Sequence, residues 1–169
     1  MELSHARFIA EGVVSKLTTF CDRIQIAGSI RRQKPEVRDI EVLAIPKRKI
    51  IRDLFDNPAG EVAIPEFCDV VNQWKKVKGD PQEKYTQREL PEGIKLDLFI
   101  ATKENWGYLL VIRTGSVEFS RSVASRWTKL GYRGVNGMLH KGERAINIYN
   151  ERDLFNLLQM PWVEPKDRI

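Results

Sequence analysis

The sequence predicts an α/β (α+β) fold: a mixed β-sheet with flanking helices, followed by a small α+β lobe. Segments with a period of two, at 38–46 and 94–101, are interleaved with segments of helical period, at 2–20 and 65–75. The 169 residues suffice for one domain or two small lobes, and 42% hydrophobic content is enough for a core. The basic charge is confined to one stretch. Residues 1–101 carry 17 Lys and Arg against 16 Asp and Glu, residues 102–150 carry 8 against 3, and residues 151–169 carry 3 against 4. The expected division falls at about residue 102, with an N-terminal helix and sheet over 1–101 and a basic lobe over 102–169.

Each element follows from its pattern. Leu3, Phe8, Ile9, Val13, Leu17 and Phe20 recur near helical spacing and predict a helix over 2–20. Residues 23–27 read as a strand ending at Gly28, and Arg31–Val37 as a turn stopped by Pro35. The Ile- and Val-rich run 38–46 reads as a strand closed by Pro46. Lys47-Arg48-Lys49 is a surface cluster, and a loop is expected at 57–60 in the weakly patterned stretch 50–64. Pro65 suits the first turn of a helix over 65–75. Strands near 82–89 and 94–101 flank the turn Leu90-Pro91-Glu92-Gly93; in the second, Ile94, Leu96, Leu98 and Ile100 share one face and Lys95, Asp97 and Phe99 the other. Helices over 104–113 and 116–130 follow, the latter ending at Gly131, then short strands near 132–140 and 144–149 and a helix near 151–159.

Several function classes drop out. No run approaches the roughly 20 apolar residues that span a bilayer, and the N-terminus lacks the regions of a signal peptide. A cytoplasmic protein, bacterial or viral, is expected, with no membrane partner. Cys21 and Cys68 form no Cys-x-x-Cys pair and read as reduced thiols. His5 and His140 stand alone, without a zinc pattern. The four tryptophans read as core or lobe-interface anchors. The basic stretch suits a phosphate backbone, or solubility alone.

The chemistry lies in three acids. Asp39 and Glu41, two apart on one strand, project to the same side with backbones about 6.5–7 Å apart. Asp97 can face them from the polar side of 94–101. Acid-x-acid is common on solvated strand faces, but here it sits on a β-branched run resembling a central strand, where bare charge is costly. Three converging carboxylates repel unless cations neutralise them, and oxygen-only ligation suits Mg²⁺. Gly28-Ser29 precedes them as a small-residue turn able to offer backbone N–H groups to phosphate, with Ser29 adding a hydroxyl and Arg32 a clamp. This combination points to nucleotidyl transfer using two Mg²⁺ ions, for which Mn²⁺ can substitute.

Gly28-Ser29-Ile30-Arg31-Arg32, Asp39-Ile40-Glu41 and Lys95-Leu96-Asp97 resemble the palm of X-family DNA polymerases, the group of DNA polymerase beta. Thr114-Gly115-Ser116-Val117-Glu118-Phe119, Gly131-Tyr132 and the ending Glu164-Pro165-Lys166-Asp167-Arg168 resemble that family's thumb in order and spacing. The resemblance implies a nucleotidyltransferase palm and a basic thumb. It makes Asp39, Glu41 and Asp97 the catalytic metal ligands, with Asp97 nearest the primer 3′-hydroxyl. It assigns Gly28, Ser29 and Arg32 to the triphosphate, and Thr114 and Gly115 to the nucleotide sugar. Lys95 would stand beside the primer end; Ser120 and Arg121 would face the nascent pair and template. Arg126 is a further DNA contact on the basic 116–130 helix. The partners would be primer–template or gapped DNA and dNTPs, the protein a monomer, and its role low-fidelity short-gap filling in repair. The basic 102–150 lobe would hold the DNA, with strong salt dependence.

The departures from the family carry expectations of their own. The second acid is Glu41 where the polymerases usually have Asp, and Val37-Arg38 replaces a Ser-Gly pair. Ile112-Arg113 replaces an aromatic pair that blocks a ribose hydroxyl, which predicts acceptance of rNTPs. Ala124 stands where the best-known member places a template-contacting Arg, which predicts loose fidelity. Some 20 residues precede the first strand, too few for a lyase domain, so no lyase activity is expected. Two other readings stand beside the polymerase: a nucleotidyltransferase with a non-DNA acceptor, which Asp-x-Glu favours, and a non-catalytic DNA-binding module, which the presence of all three acids disfavours.

Overall fold

The computed structural model describes residues 1–169. Its centre is a five-stranded mixed sheet in the order β1-β2-β7-β6-β5, formed by Cys21–Ile26 (β1), Asp39–Pro46 (β2), Lys95–Ile100 (β7), Tyr85–Glu89 (β6) and Lys75–Gly79 (β5). The central pair, β2 and β7, runs parallel, and the other neighbours are antiparallel. Helices Leu3–Thr18 (α1) and Pro65–Asn72 (α3) cover one face, while the four-residue helix Gly28–Arg31 (α2) links β1 to β2. Ile40, Val42 and Ala44 of β2 and Leu96, Leu98 and Ile100 of β7 enter the main core against α1 and α3. The alternation expected of residues 94–101 is the alternation found.

Residues beyond the sheet form helices Trp106–Thr114 (α4) and Val117–Lys129 (α5), the small sheet β10-β9-β8 (Arg144–Ile146, Met138–Lys141, Tyr132–Val135), and helix Glu151–Leu157 (α6). Their core gathers Val111, Phe119, Val123, Leu139 and Phe155. Ser116 caps α5 by accepting from the Phe119 N–H, and Asn150 with Asp153 forms a capping box on α6. A third cluster, Ala27, Leu43, Phe99, Ala101, Trp106 and Leu110, joins α4 to the open face of the large sheet. No helix is long and apolar enough to cross a membrane.

The structure departs from the sequence pattern in four places. Phe8 is 75% exposed, because the buried stripe of α1 runs through Ala6, Ile9, Ala10, Val13 and Leu17 and the two alanines bring the helix close to the sheet. The stretch 48–63 is a separate hairpin of Arg48–Arg52 (β3) and Pro58–Ala63 (β4), whose turn lies at 53–57 rather than 57–60. The hairpin buries no face, so it prints no alternation on the sequence. Helix α3 stops at Asn72, and Lys75–Gly79 instead forms edge strand β5, whose lysines protect the open edge. The strand near 144–149 ends at Ile146.

Candidate active site

Pleating turns Asp39 and Glu41 away from the α1/α3 core, and register brings Asp97 to them. In the parallel β2–β7 pair, Asp39 lies opposite Lys95 and Glu41 opposite Asp97, so all three acids share one sheet face. Strand β6 continues that face: Gln87 lies opposite Asp97 and Tyr85 opposite Phe99. Asp39, Glu41 and Asp97 are half-buried, and none forms an ion pair.

Asp97 is the most firmly held. Its Oδ1 accepts from the Tyr85 hydroxyl at 2.5 Å and from Gln87 Nε2 at 2.7 Å, while its Oδ2 has no protein donor. Tyr85 also stacks on Phe99, with ring centroids 5.1 Å apart. Burial and the neighbouring carboxylate push the Tyr85 hydroxyl well above its ordinary range, so it stays a donor. Glu41 is packed against Gly28: a Cβ built on the glycine would fall 1.8 Å from Glu41 Oε2. Burial, then Asp39 and Asp97, push Glu41 up to about 7, against the fields of Arg32 and Arg113. Asp39 is raised by burial and by Asp97. No three His, Cys, Asp or Glu side chains close into a ready metal-chelating cluster.

The Gly-Ser turn lies beside them. The Ala27 N–H donates to the Glu41 carbonyl, and α2 begins at Gly28 with φ +60°. The first N–H groups of a helix have no intrahelical acceptor. Ser29 Oγ and Arg32 Nε are buried without a partner, while Arg32 Nη1 donates to the carbonyls of Thr114 (2.6 Å) and Gly115 (3.0 Å). Arg32 thus fastens α2 to the end of α4. Thr114 itself is buried, and its hydroxyl accepts from Arg31 at 2.7 Å. Val37, replacing part of the expected Ser-Gly, is buried in the main core with its backbone paired to Met1, so the segment runs extended.

A second connection joins the lobes. Arg31 grips Glu151 with both Nη atoms, at 2.8 and 2.6 Å, and Arg168 Nη1 donates to the same carboxylate at 2.6 Å. Arg168 is fully buried near the rings of Phe119, Phe155 and Trp162. Burial alone would raise Glu151; the hydrogen bonds of Arg31 and Arg168 overcome it and hold the carboxylate below its ordinary range.

Among the expected DNA contacts, Lys95 is exposed without an ion pair, since Glu89 across the strand takes Lys75. Arg121 is exposed on α5. Ser120 donates its hydroxyl to the Ile112 carbonyl, and Arg126 donates Nε to the Leu158 carbonyl. Arg88 points to the other side of β6, where it is fully buried and bonds Val71 O and Asn72 Oδ1. Trp74 and Trp106 are core residues, as their size suggests; Trp127 and Trp162 pack on the core of the second lobe.

Sequence reasoning missed Gln87, Glu151, the buried role of Arg168 and the placement of Arg113 over Phe99. Gln87 was legible by alternation from Tyr85. The others depend on contacts between lobes that no local pattern reports. Arg113 lies over the Phe99 ring at 4.0 Å with its Nε buried and unpartnered. It borders a cleft of about 560 Å³ that also touches Arg48, Tyr85, Asn105 and Gly137.

Residues 109–169 match the family model described as the DNA polymerase beta thumb. Two structures of Leishmania infantum polymerase beta share the fold. The ternary P/T complex has a TM-score of 0.73 at 16% identity and covers 100% of this chain and 76% of that one. The ternary gap complex has a TM-score of 0.74 at 17% identity and covers 99% and 70%. No curated protein matches the sequence. Residues 109–169 thus match a DNA polymerase beta thumb, and the chain as a whole shares the fold of these two polymerase beta structures.

Proposed function

We propose that the protein is a Mg²⁺-dependent, template-directed DNA polymerase that adds nucleotides from dNTPs to a primer 3′ end in short gaps. The register of Glu41 with Asp97, and Asp39 on the same face beside the Gly28-Ser29 turn, carries this reading. The thumb match and the fold shared with a polymerase beta in primer–template and gap complexes support it.

The donor set fits divalent magnesium. It is all oxygen, half-buried, and free of ion pairs to Lys or Arg. Asp39, Glu41 and Asp97 would hold the ions. Bound there, two such ions supply charge neutralisation for the triphosphate and a more acidic attacking hydroxyl. The chain's own part is positioning. The Gly28 and Ser29 N–H groups, the unpartnered Ser29 hydroxyl and Arg32 receive phosphate oxygens. Tyr85 and Gln87 fix the Asp97 carboxylate through its Oδ1 and leave its Oδ2 without a protein donor. Arg113 adds positive potential at the cleft rim, and exposed Lys95 and Arg121 are available to DNA phosphates.

The test is extension of a gapped primer–template with labelled dNTPs and Mg²⁺, by the wild type and by Asp97→Asn. The variant keeps shape and removes charge. Extension should fall by at least a hundredfold while DNA affinity is kept. Wild-type extension by the variant would overturn the assignment of Asp97; a wild type that binds DNA and never extends it would overturn the polymerase.

A further inference from the structure

The β3–β4 hairpin is built as an arm. Its base is fixed: Ile64 donates to the Lys47 carbonyl, and the Gln82 side chain both accepts from the Ala63 N–H and donates to the Ala63 carbonyl. Its tip is ordered: Asp53 Oδ1 accepts from the N–H groups of Phe55 and Asn57, and Arg52 pairs with Asp56. Between base and tip nothing covers it. All five residues of β3 are exposed, and the two strands pair only with each other.

Three features of the arm lie outside the packed cores. Leu54 is 100% exposed and Phe55 83% exposed, side by side at the tip. Arg48 and Lys49 face solvent without an ion pair. The foot of the arm adjoins the site: Arg48 lines a cleft together with Arg113 and with Tyr85, whose hydroxyl donates to Asp97. A cationic strand rising from the cleft wall and ending in two bare apolar side chains has the two elements that hold nucleic acid without reading sequence. Lys and Arg track phosphates, and aromatic or aliphatic tips stack on or wedge between bases. Five residues of strand reach about 17 Å, the rise of about five base pairs at 3.4 Å each. With DNA in the cleft, a tip at that reach would meet it a few pairs away. A second copy of the chain suits the arm less well, since two side chains offer far less than the roughly 800 Å² per partner of a stable interface.

We propose that the β3–β4 arm is a DNA-gripping element, with Arg48 and Lys49 on the phosphates and the Leu54–Phe55 tip against bases of the flanking DNA. It rests on the reading that DNA occupies the cleft. Anisotropy of labelled gapped DNA across a range of KCl concentrations tests it, with wild type, Arg48→Gln/Lys49→Gln and Leu54→Ser/Phe55→Ser. All substituted positions are exposed, and unchanged melting temperatures would show that both variants fold. The charge variant should bind less tightly and lose about 1.8 from the slope of log K against log salt, two phosphate contacts' worth. The tip variant should bind at least fivefold less tightly with the slope kept. Wild-type affinity and slope in both variants would overturn the arm while leaving the polymerase reading standing. A wild type that binds no gapped DNA would overturn that reading and the arm with it. Self-association of the wild type that the tip substitutions abolish, with DNA affinity unchanged, would assign the tip to a second copy instead and overturn the proposal.

Discussion

The Glu41 carboxylate rests on the bare Cα of Gly28, where a methyl group would approach Oε2 to 1.8 Å. The same glycine has φ +60°, a conformation that costs a residue with a Cβ about 1–2 kcal/mol. The turn and the acid are thus fitted to each other: β1 ends where it does because the side chain of β2 needs the space. Gly28→Ala should lose at least about 1–2 kcal/mol of stability in denaturant melts. It should also lose primer extension to a degree the stability change does not explain, because Glu41 must move. A variant with full activity would show that Glu41 has no fixed position in catalysis.

Glu41, raised to about 7, makes the metal-free protein less stable as pH rises. An acid whose folded pKa lies above its unfolded value binds more protons when folded. Its unfavourable contribution therefore grows from about pH 4.5 to about pH 7 and is complete above that. Glu41→Gln should stabilise the metal-free protein at pH 8 by up to about 3 kcal/mol and flatten this part of the profile. Melts with and without Mg²⁺ supply the check: Mg²⁺ should stabilise the wild type at pH 8 and do so less for Glu41→Gln. A wild-type profile that rises from pH 4.5 to 7 with EDTA present would contradict the burial of this charge.

Glu151 works in the opposite direction. Its folded pKa is held below the ordinary value by two arginines, so its contribution is present above about pH 4.5 and is lost as pH falls further. Glu151→Gln would leave Arg31 and the fully buried Arg168 facing each other without a counter-charge. Removing one partner of such a buried set costs about 3–5 kcal/mol. Because Glu151 ties α2 to the C-terminal segment, the loss should appear first as protease cleavage near residues 160–169. Uniform resistance to protease would mean that the segment docks without the carboxylate.

What could be read from the sequence follows from which forces act locally. The strands carrying Asp39, Glu41 and Asp97 were legible because each separates a buried apolar face from a half-buried face bearing the acids, so period-two alternation marks both at once. Strand β3 left no such mark: Ile50 and Ile51 are both exposed, and neither face meets a core. Phe8 misled because hydrophobicity was read in place of the tighter alanine stripe. The role of Arg168 was not legible, since a fully buried arginine is defined only by Glu151, which lies 17 residues away, and by three aromatic rings. Site residues that face their own sheet could be found from pattern; those that bind across lobes needed the fold.

The cleft wall should discriminate poorly between sugars. Where the family resemblance places an aromatic pair, this chain has Ile112 and Arg113, and the Arg113 guanidinium carbon lies 4.0 Å from the Phe99 ring centroid. The aromatic surface is thus supplied by β7, with a flexible cation above it and not a rigid ring at the helix end. A pocket rejects an added hydroxyl only by a wall that cannot yield, and even a well-built apolar pocket manages only about a hundredfold against such an isostere. A yielding arginine with a free Nε can move, and it can hydrogen-bond the extra hydroxyl. The ratio of kcat/KM for dNTP over rNTP should therefore fall below about tenfold. Arg113→Phe should raise it severalfold, by placing a second ring against Phe99. A wild-type ratio above about a hundredfold would mean that some other group closes the cleft around the sugar.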